Sequence, residues 1–146
     1  MTVVAEILKS KPDGAVHSIA PSASVLDALK SMAELRIGAL LVMEGKDIVG
    51  ILTERDYARK IALMGRTSLT TLVSDVMTTA VMYVQPTQSS EECMALMTQN
   101  RLRHLPVVQN GELLGLISIG DLVKDIISQQ QFIIAQLEHY ISGKHA

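Results

Sequence analysis

A chain of 146 residues, 48% of them hydrophobic, with a formal charge of −2, has the length of one ordinary domain and too much apolar content to stay disordered. The near-neutral charge leaves no electrostatic footprint for nucleic acid or an anionic membrane, and 3% aromatics without Trp supply no stacking platform for single strands. No apolar run approaches the ~18 residues of a membrane span, and the first residues lack the charged start and apolar stretch of a signal peptide.

Residues 2–9 read as a short amphipathic helix. Lys11-Pro-Asp-Gly14 is a turn signal. Val16 to Ile19 is a short strand stopped by Pro21, and Ser22 or Ser24 is placed to cap the helix that follows. That helix carries Val25, Leu26, Leu29, Met32 and Ala33 on one face, and Gly38 is the expected stop. Ala39 to Met43 is a buried strand, Glu44-Gly-Lys-Asp47 a hairpin turn, and Ile48 to Thr53 the returning strand. A helix from Asp56 runs through Ile61 to Gly65. Arg66 to Ser74, rich in Ser and Thr, reads as a linker.

The order then recurs. Val81 to Val84 is a strand, and Ser89 to Gln99 a helix whose apolar face holds Cys93, Met94 and Met97. As the only cysteine, Cys93 cannot close an internal disulfide; it reads as a small core residue in a reducing cytoplasm. Leu105 to Val108 turns at Asn110-Gly111 into Leu113 to Ser118, and Asp121 opens a helix. Gln129 to Ile141 reads as one more helix, apolar at Phe132, Ile133, Leu137, Tyr140 and Ile141. It serves either as a dimer contact or as a helix packed back on its own domain.

The recurrence is a duplication. Gly50-Ile-Leu-Thr-Glu-Arg-Asp56 returns as Gly115-Leu-Ile-Ser-Ile-Gly-Asp121, 65 residues on (115 − 50). The same offset pairs Val16 with Val81, Pro21 with Pro86, Met32 with Met97, Arg36 with Arg101 and Leu40 with Leu105. Earlier, Val4, Glu6 and Ile7 match Val73, Asp75 and Val76 at 69 (73 − 4), so the first copy holds four extra residues near Lys11 to Gly14. Units of about 60 residues bury only about 60% of their unfolded surface, so each is expected to need the other. The expected divisions are repeat 1 at 4–65, a linker at 66–72, repeat 2 at 73–128, and a C-terminal helix and tail at 129–146.

Thr53-x-x-Asp56 and Ser118-x-x-Asp121 carry two readings. A carboxylate offers two acceptors to a vicinal diol, and a helix N-terminus aims N–H groups at a following anion. The same spacing also builds a capping box. Arg101-Leu-Arg103-His104 is likewise either a phosphate clamp or a set of cations complementing a helix end. No dinucleotide fingerprint, Walker loop or nucleophile motif occurs. No histidine stands at metal-ligand spacing.

Strand–helix–strand–strand–helix, twice, with Gly-h-h-Thr/Ser-x-x-Asp at the last strand-to-helix step, resembles a tandem pair of CBS domains, a Bateman module. The match is strongest to stand-alone CBS-pair proteins of bacteria and plant organelles. The carrying residues are 53–60, Gly65 to Ser68, Met97 to Val107 and Ser118 to Asp121. The resemblance implies an α/β (α+β) fold of two pseudo-symmetric units packed as one module. It implies no catalytic cofactor but a bound adenine nucleotide, AMP first and NAD(H) or ATP next, in the cleft between repeats. Asp56 and Asp121 would hold riboses, with Thr53 and Ser118 beside them. Arg103, His104 and Arg55 would reach phosphate. Val16, His17, Ala39, Ala80, Met82 and Pro106 would line the base, with Gly120 facing Arg55 across the offset. A signal-sensing homodimer that passes occupancy to an unidentified regulated protein follows from the resemblance. A ligand-free dimerisation scaffold and a nucleotide-hydrolysing enzyme are the alternatives.

Overall fold

The computed structural model describes residues 2–11, 14 and 16–143. The chain divides into two compact units: a middle unit of residues 15–82, and a split unit joining residues 1–14 to residues 83–146. The Pro12-Asp13 turn and the last three residues of the expected tail lie outside the described residues.

The middle unit contains β1 (Ser18–Ile19), α2 (Val25–Leu35), β2 (Ala39–Glu44), β3 (Asp47–Thr53), α3 (Glu54–Asp56) and α4 (Val73–Val76). Helix α3 continues into a π-helical turn, Tyr57–Ala62, and the sheet order is β1-β2-β3. Strand β1 pairs parallel with β2, and β2 antiparallel with β3. Val25, Ala28, Met32, Leu40, Val42, Leu52, Ile61, Val73 and Val76 close the core. Each of these but Ala28 contributes about 1.5–3 kcal/mol on burial.

The split unit contains α1 (Val4–Ser10), α5 (Ser90–Asn100), β4 (His104–Gln109), β5 (Glu112–Ser118) and α6 (Ile119–Ile141). Strands β4 and β5 pair antiparallel. Val4, Ile7, Cys93, Met97, Leu105, Val107 and Ile117 are all buried, and each occupies the place of a middle-unit core residue at the sequence offset. Burial, with Glu92 adding to it, pushes the Cys93 thiol up to about 11.

The short leading helices are exchanged relative to the repeats. Helix α1, from the first repeat, packs on β5 and α6, while α4, from the second, packs on β3 and the π-helical turn. The anchoring is the same in both places. Val4 N–H donates to Gln88 O and Ala5 N–H to Pro86 O, as Val73 donates to Ala23 O and Ser74 to Pro21 O. Ser90 N–H returns a bond to Thr2 O, as Val25 does to Thr71 O. Leu8 and Met77 then cover Gly115 and Gly50, where an added Cβ would stand 2.7 Å from a Leu8 methyl or from the Met77 sulfur. Neither glycine has a positive φ, so close approach explains why both copies keep one.

Several expected boundaries move. Strand 16–19 forms only at Ser18–Ile19, and 81–84 contributes only a parallel bridge from Val84 to Val107. Gly38 does not stop α2: Arg36 does, at φ 56, with its N–H on Met32 O. Arg101 repeats this at φ 54 on Met97 O, so the retained arginines mark a left-handed backbone turn. Neither arginine joins an ion pair among the described residues. Ser24, rather than Ser22, caps α2 by accepting from Asp27 N–H. Asn110 (φ 53) and Gly111 (φ 78) make the expected hairpin turn, both in the left-handed region that a type I′ turn requires. Helix α6 runs unbroken through Ser128, and its outer turns are bare, with Phe132 66% and Ile141 82% exposed. It does not fold back on its own unit.

Candidate functional site

Both Thr/Ser-x-x-Asp motifs form capping boxes. Thr53 Oγ1 accepts from Asp56 N–H at 3.1 Å, and Asp56 Oδ2 accepts from Thr53 N–H at 3.0 Å. Ser118 Oγ accepts from Asp121 N–H at 3.2 Å, and Asp121 Oδ2 from Ser118 N–H at 2.8 Å. Beyond that frame the two carboxylates differ.

Asp56 is buried and saturated. Its Oδ2 also takes the Thr53 hydroxyl at 3.1 Å. Its Oδ1 takes the Thr78 hydroxyl at 3.2 Å and lies 3.2 Å from the Lys60 ammonium, one helical turn on. Three hydrogen-bond donors and an ion-paired ammonium crowd the roughly four lone-pair positions of a carboxylate. A diol would have to displace one of them.

Asp121 keeps one oxygen open. Its Oδ2 accepts from Ser118 N–H and from Lys11 Nζ at 3.0 Å, and its Oδ1 has no partner among the described residues. Burial alone would raise its pKa. The Ser118 N–H, the Lys11 ammonium and the Ser118 hydroxyl outweigh that and hold the carboxyl below its usual range. Lys11 also donates to Leu116 O at 2.7 Å. The matching middle-unit carbonyl, on Ile51, accepts a backbone N–H from Thr78 instead. An ammonium in the split unit thus replaces a backbone bridge in the middle unit.

His104 lies across the β4–β5 ladder from Ser118, as Ala39 lies across from Thr53. The split unit therefore places an imidazole where the middle unit has a methyl. Burial, then the Lys11 charge, lowers the His104 pKa; Asp121 opposes the shift and Arg103 adds to it. Arg103 is exposed, and its carbonyl accepts Ile119 N–H at 2.8 Å at the start of α6. Gly120 is exposed beside it, where an added Cβ would meet only Ser118 Oγ, at 3.6 Å. Pro106 is buried in β4, and its carbonyl accepts from Val84 N–H.

A family model described as CBS domain matches residues 4–63 and again residues 73–128. The chain belongs to the CBS-domain family. This CBS pair is 38% identical over 150 residues to CBS domain-containing protein CBSX3, mitochondrial, of Arabidopsis thaliana, covering 97% of this chain and 73% of that one. A CBS-domain protein of Burkholderia ambifaria overlays with a TM-score of 0.86 at 57% identity, covering 88% of this chain and 96% of that chain. The CBS domain pair of protein MJ0100, solved in complex with 5′-methylthioadenosine and S-adenosyl-L-methionine, overlays with a TM-score of 0.73 at 24% identity, over 88% and 98% of the two chains. That last likeness is one of fold. No helix among the described residues is long and apolar enough to cross a membrane.

Of the residues expected to bind, the CBS pair brings His104, Ser118 and Asp121 together, with Arg103 and Gly120 beside them. Thr53 and Asp56 meet in the middle unit with Ala39 across the ladder, while Arg55 is exposed on α3. Val16, His17 and Met82 are half-buried and Ala80 is exposed, all outside regular strands. Lys11 was not among the expected residues. Its signal was the change of offset from 69 to 65, which placed four extra residues where this side chain stands.

Proposed function

We propose that this CBS pair is a regulatory protein that binds one adenosyl ligand in its split unit, with the ribose on Asp121. The observation that carries the reading is the open Oδ1 of Asp121 against the saturated carboxylate of Asp56. Ligand binding by the MJ0100 pair supports the ligand class. An adenine nucleotide, AMP before NAD(H) or ATP, fits best, with Arg103 and His104 toward the phosphate. The bare turns of α6 would join two copies, and occupancy would pass to a separate protein only if the ligand favours one arrangement of the pair over another. No catalytic step is assigned to the site.

Calorimetry with AMP, ADP, ATP, NAD, NADH and S-adenosylmethionine tests this, on the wild type, Asp121→Asn and Asp56→Asn. The expected result is one site per chain, weakened about ten-fold or more by Asp121→Asn through the lost charged hydrogen bonds, on the order of 1.5–3 kcal/mol, and little changed by Asp56→Asn. 2′-Deoxy-AMP should bind the wild-type protein more weakly than AMP. Loss only in Asp56→Asn would move the site to the middle unit. No binding of any ligand would leave a scaffold, a reading the exposed apolar turns of α6 already favour.

A further inference from the structure

Resting on the adenosyl reading, we infer that Lys11 is the residue that makes the Asp121 site select a phosphorylated ligand over an uncharged nucleoside. A carboxylate that reads ribose hydroxyls stands close to any 5′-phosphate on the same sugar, and two anions so placed repel each other. The site must therefore cancel the carboxylate's charge without filling both of its oxygens. Lys11 does this: its ammonium lies 3.0 Å from Asp121 Oδ2 and leaves Oδ1 open.

The ammonium is held in place rather than swinging freely. Leu116 O fixes it at 2.7 Å, and its side chain is 28% exposed. Of the three donors on a lysine, two are engaged among the described residues, with Leu116 O and Asp121 Oδ2, which leaves a third. An unengaged N–H and an unengaged carboxylate oxygen thus lie on the two members of one ion pair, a donor for phosphate beside an acceptor for hydroxyl. Burial and the Lys11 charge disfavour the protonated imidazole of His104, so the cations facing a phosphate here are Lys11 and Arg103. Without Lys11, Asp121 and Arg103 would cancel, and the site would carry no net attraction for an anion. In the middle unit Lys60 neutralises Asp56 by taking the second oxygen itself, which closes the site that Lys11 leaves open.

The test is calorimetry of AMP and adenosine at one ionic strength, on the wild type, two neutral variants, Lys11→Gln and Lys11→Met, and the charge-retaining Lys11→Arg. The wild type is expected to prefer AMP. Both neutral variants should lower the AMP-to-adenosine affinity ratio about ten-fold, the worth of one charge-assisted hydrogen bond, with adenosine affinity held. Lys11→Arg should restore most of the ratio. An equal loss for both ligands would make Lys11 a structural prop only, and an unchanged ratio would overturn the proposal outright. If the wild type bound neither ligand, this inference would fall, while the adenosyl reading would fall only if the whole panel above failed as well.

Discussion

Gly50→Ala should cost more stability than Gly115→Ala, although the two glycines occupy matched places. At Gly50 an added Cβ meets Met77 Sδ at 2.7 Å, Met77 Cγ at 2.9 Å and Thr78 O at 3.0 Å. The Thr78 carbonyl cannot step aside, because Thr78 and Ile51 exchange two backbone hydrogen bonds of 2.9 Å each. At Gly115 the contacts are all to the Leu8 side chain, at 2.7, 3.4 and 3.6 Å, and a half-buried leucine can change rotamer. Overpacking costs about 1–3 kcal/mol, while Gly→Ala returns about 0.4–1 kcal/mol by narrowing the unfolded ensemble. Gly115→Ala should therefore fall within about 1 kcal/mol of wild type. Gly50→Ala should cost about 1–3 kcal/mol, toward the upper end if the bridge opens and its two hydrogen bonds weaken at about 0.5–1.5 kcal/mol each. Urea titrations of both variants, alone and combined with Leu8→Ala or Met77→Ala, measure the terms. Leu8→Ala should absorb the Gly115 penalty through a coupling of at least about 0.5 kcal/mol. Met77→Ala should relieve only part of the Gly50 penalty. Equal losses at the two glycines, or complete rescue by Met77→Ala, would refute the role given to the Thr78 carbonyl.

The lowered pKa of His104 means that the unfolded chain binds its proton first. Its contribution to stability is then complete above about pH 6.5 and declines as pH falls from there toward the folded value; His104→Gln should flatten that decline in urea midpoints measured from pH 7.5 to 5. Arg36→Gly and Arg101→Gly should each stabilise by about 0.5–1 kcal/mol, because glycine enters the left-handed region without the clash a Cβ makes; thermal melts of the two single variants check this, and a loss of stability would show that the side chains matter more than the backbone. Removing residues 131–146 strips the bare turns of α6 but keeps Gln129, which hydrogen-bonds Thr2 and Asp125. Sedimentation velocity should then show a weaker self-association, and an unchanged species would assign those turns another partner.

The hairpins and long helices were legible because their signals are local. Short apolar runs bounded by Gly45 or by Asn110-Gly111 mark each hairpin, and Ser24 and Ser89 announce α2 and α5. What escaped depends on contacts far apart in sequence. Periodicity gives α1 an apolar face but does not say which sheet it covers, and Leu8 could be matched to Met77 without showing that each lies over the other repeat's glycine. The expected break at Ser128 failed because Ser and Gln are only mildly poor helix formers and no Gly or Pro stands near. The Thr/Ser-x-x-Asp spacing showed a cap and a diol reader equally. Choosing between them required the partners of each carboxylate, and Lys11 reaches Asp121 from 110 residues away.

The exchange of leading helices also sets an order of assembly on the ribosome. The middle unit holds all of its chain by residue 82, and its pairings span short stretches, so a nascent chain can complete it early. Helix α1 is synthesised before the middle unit yet must wait for Gln88, Gly115 and Asp121 to emerge before it has anything to cover. Until then its apolar face, with Val4 and Ile7, stays open to chaperones or to the wrong sheet. A helix made before the middle unit is thus enclosed after it.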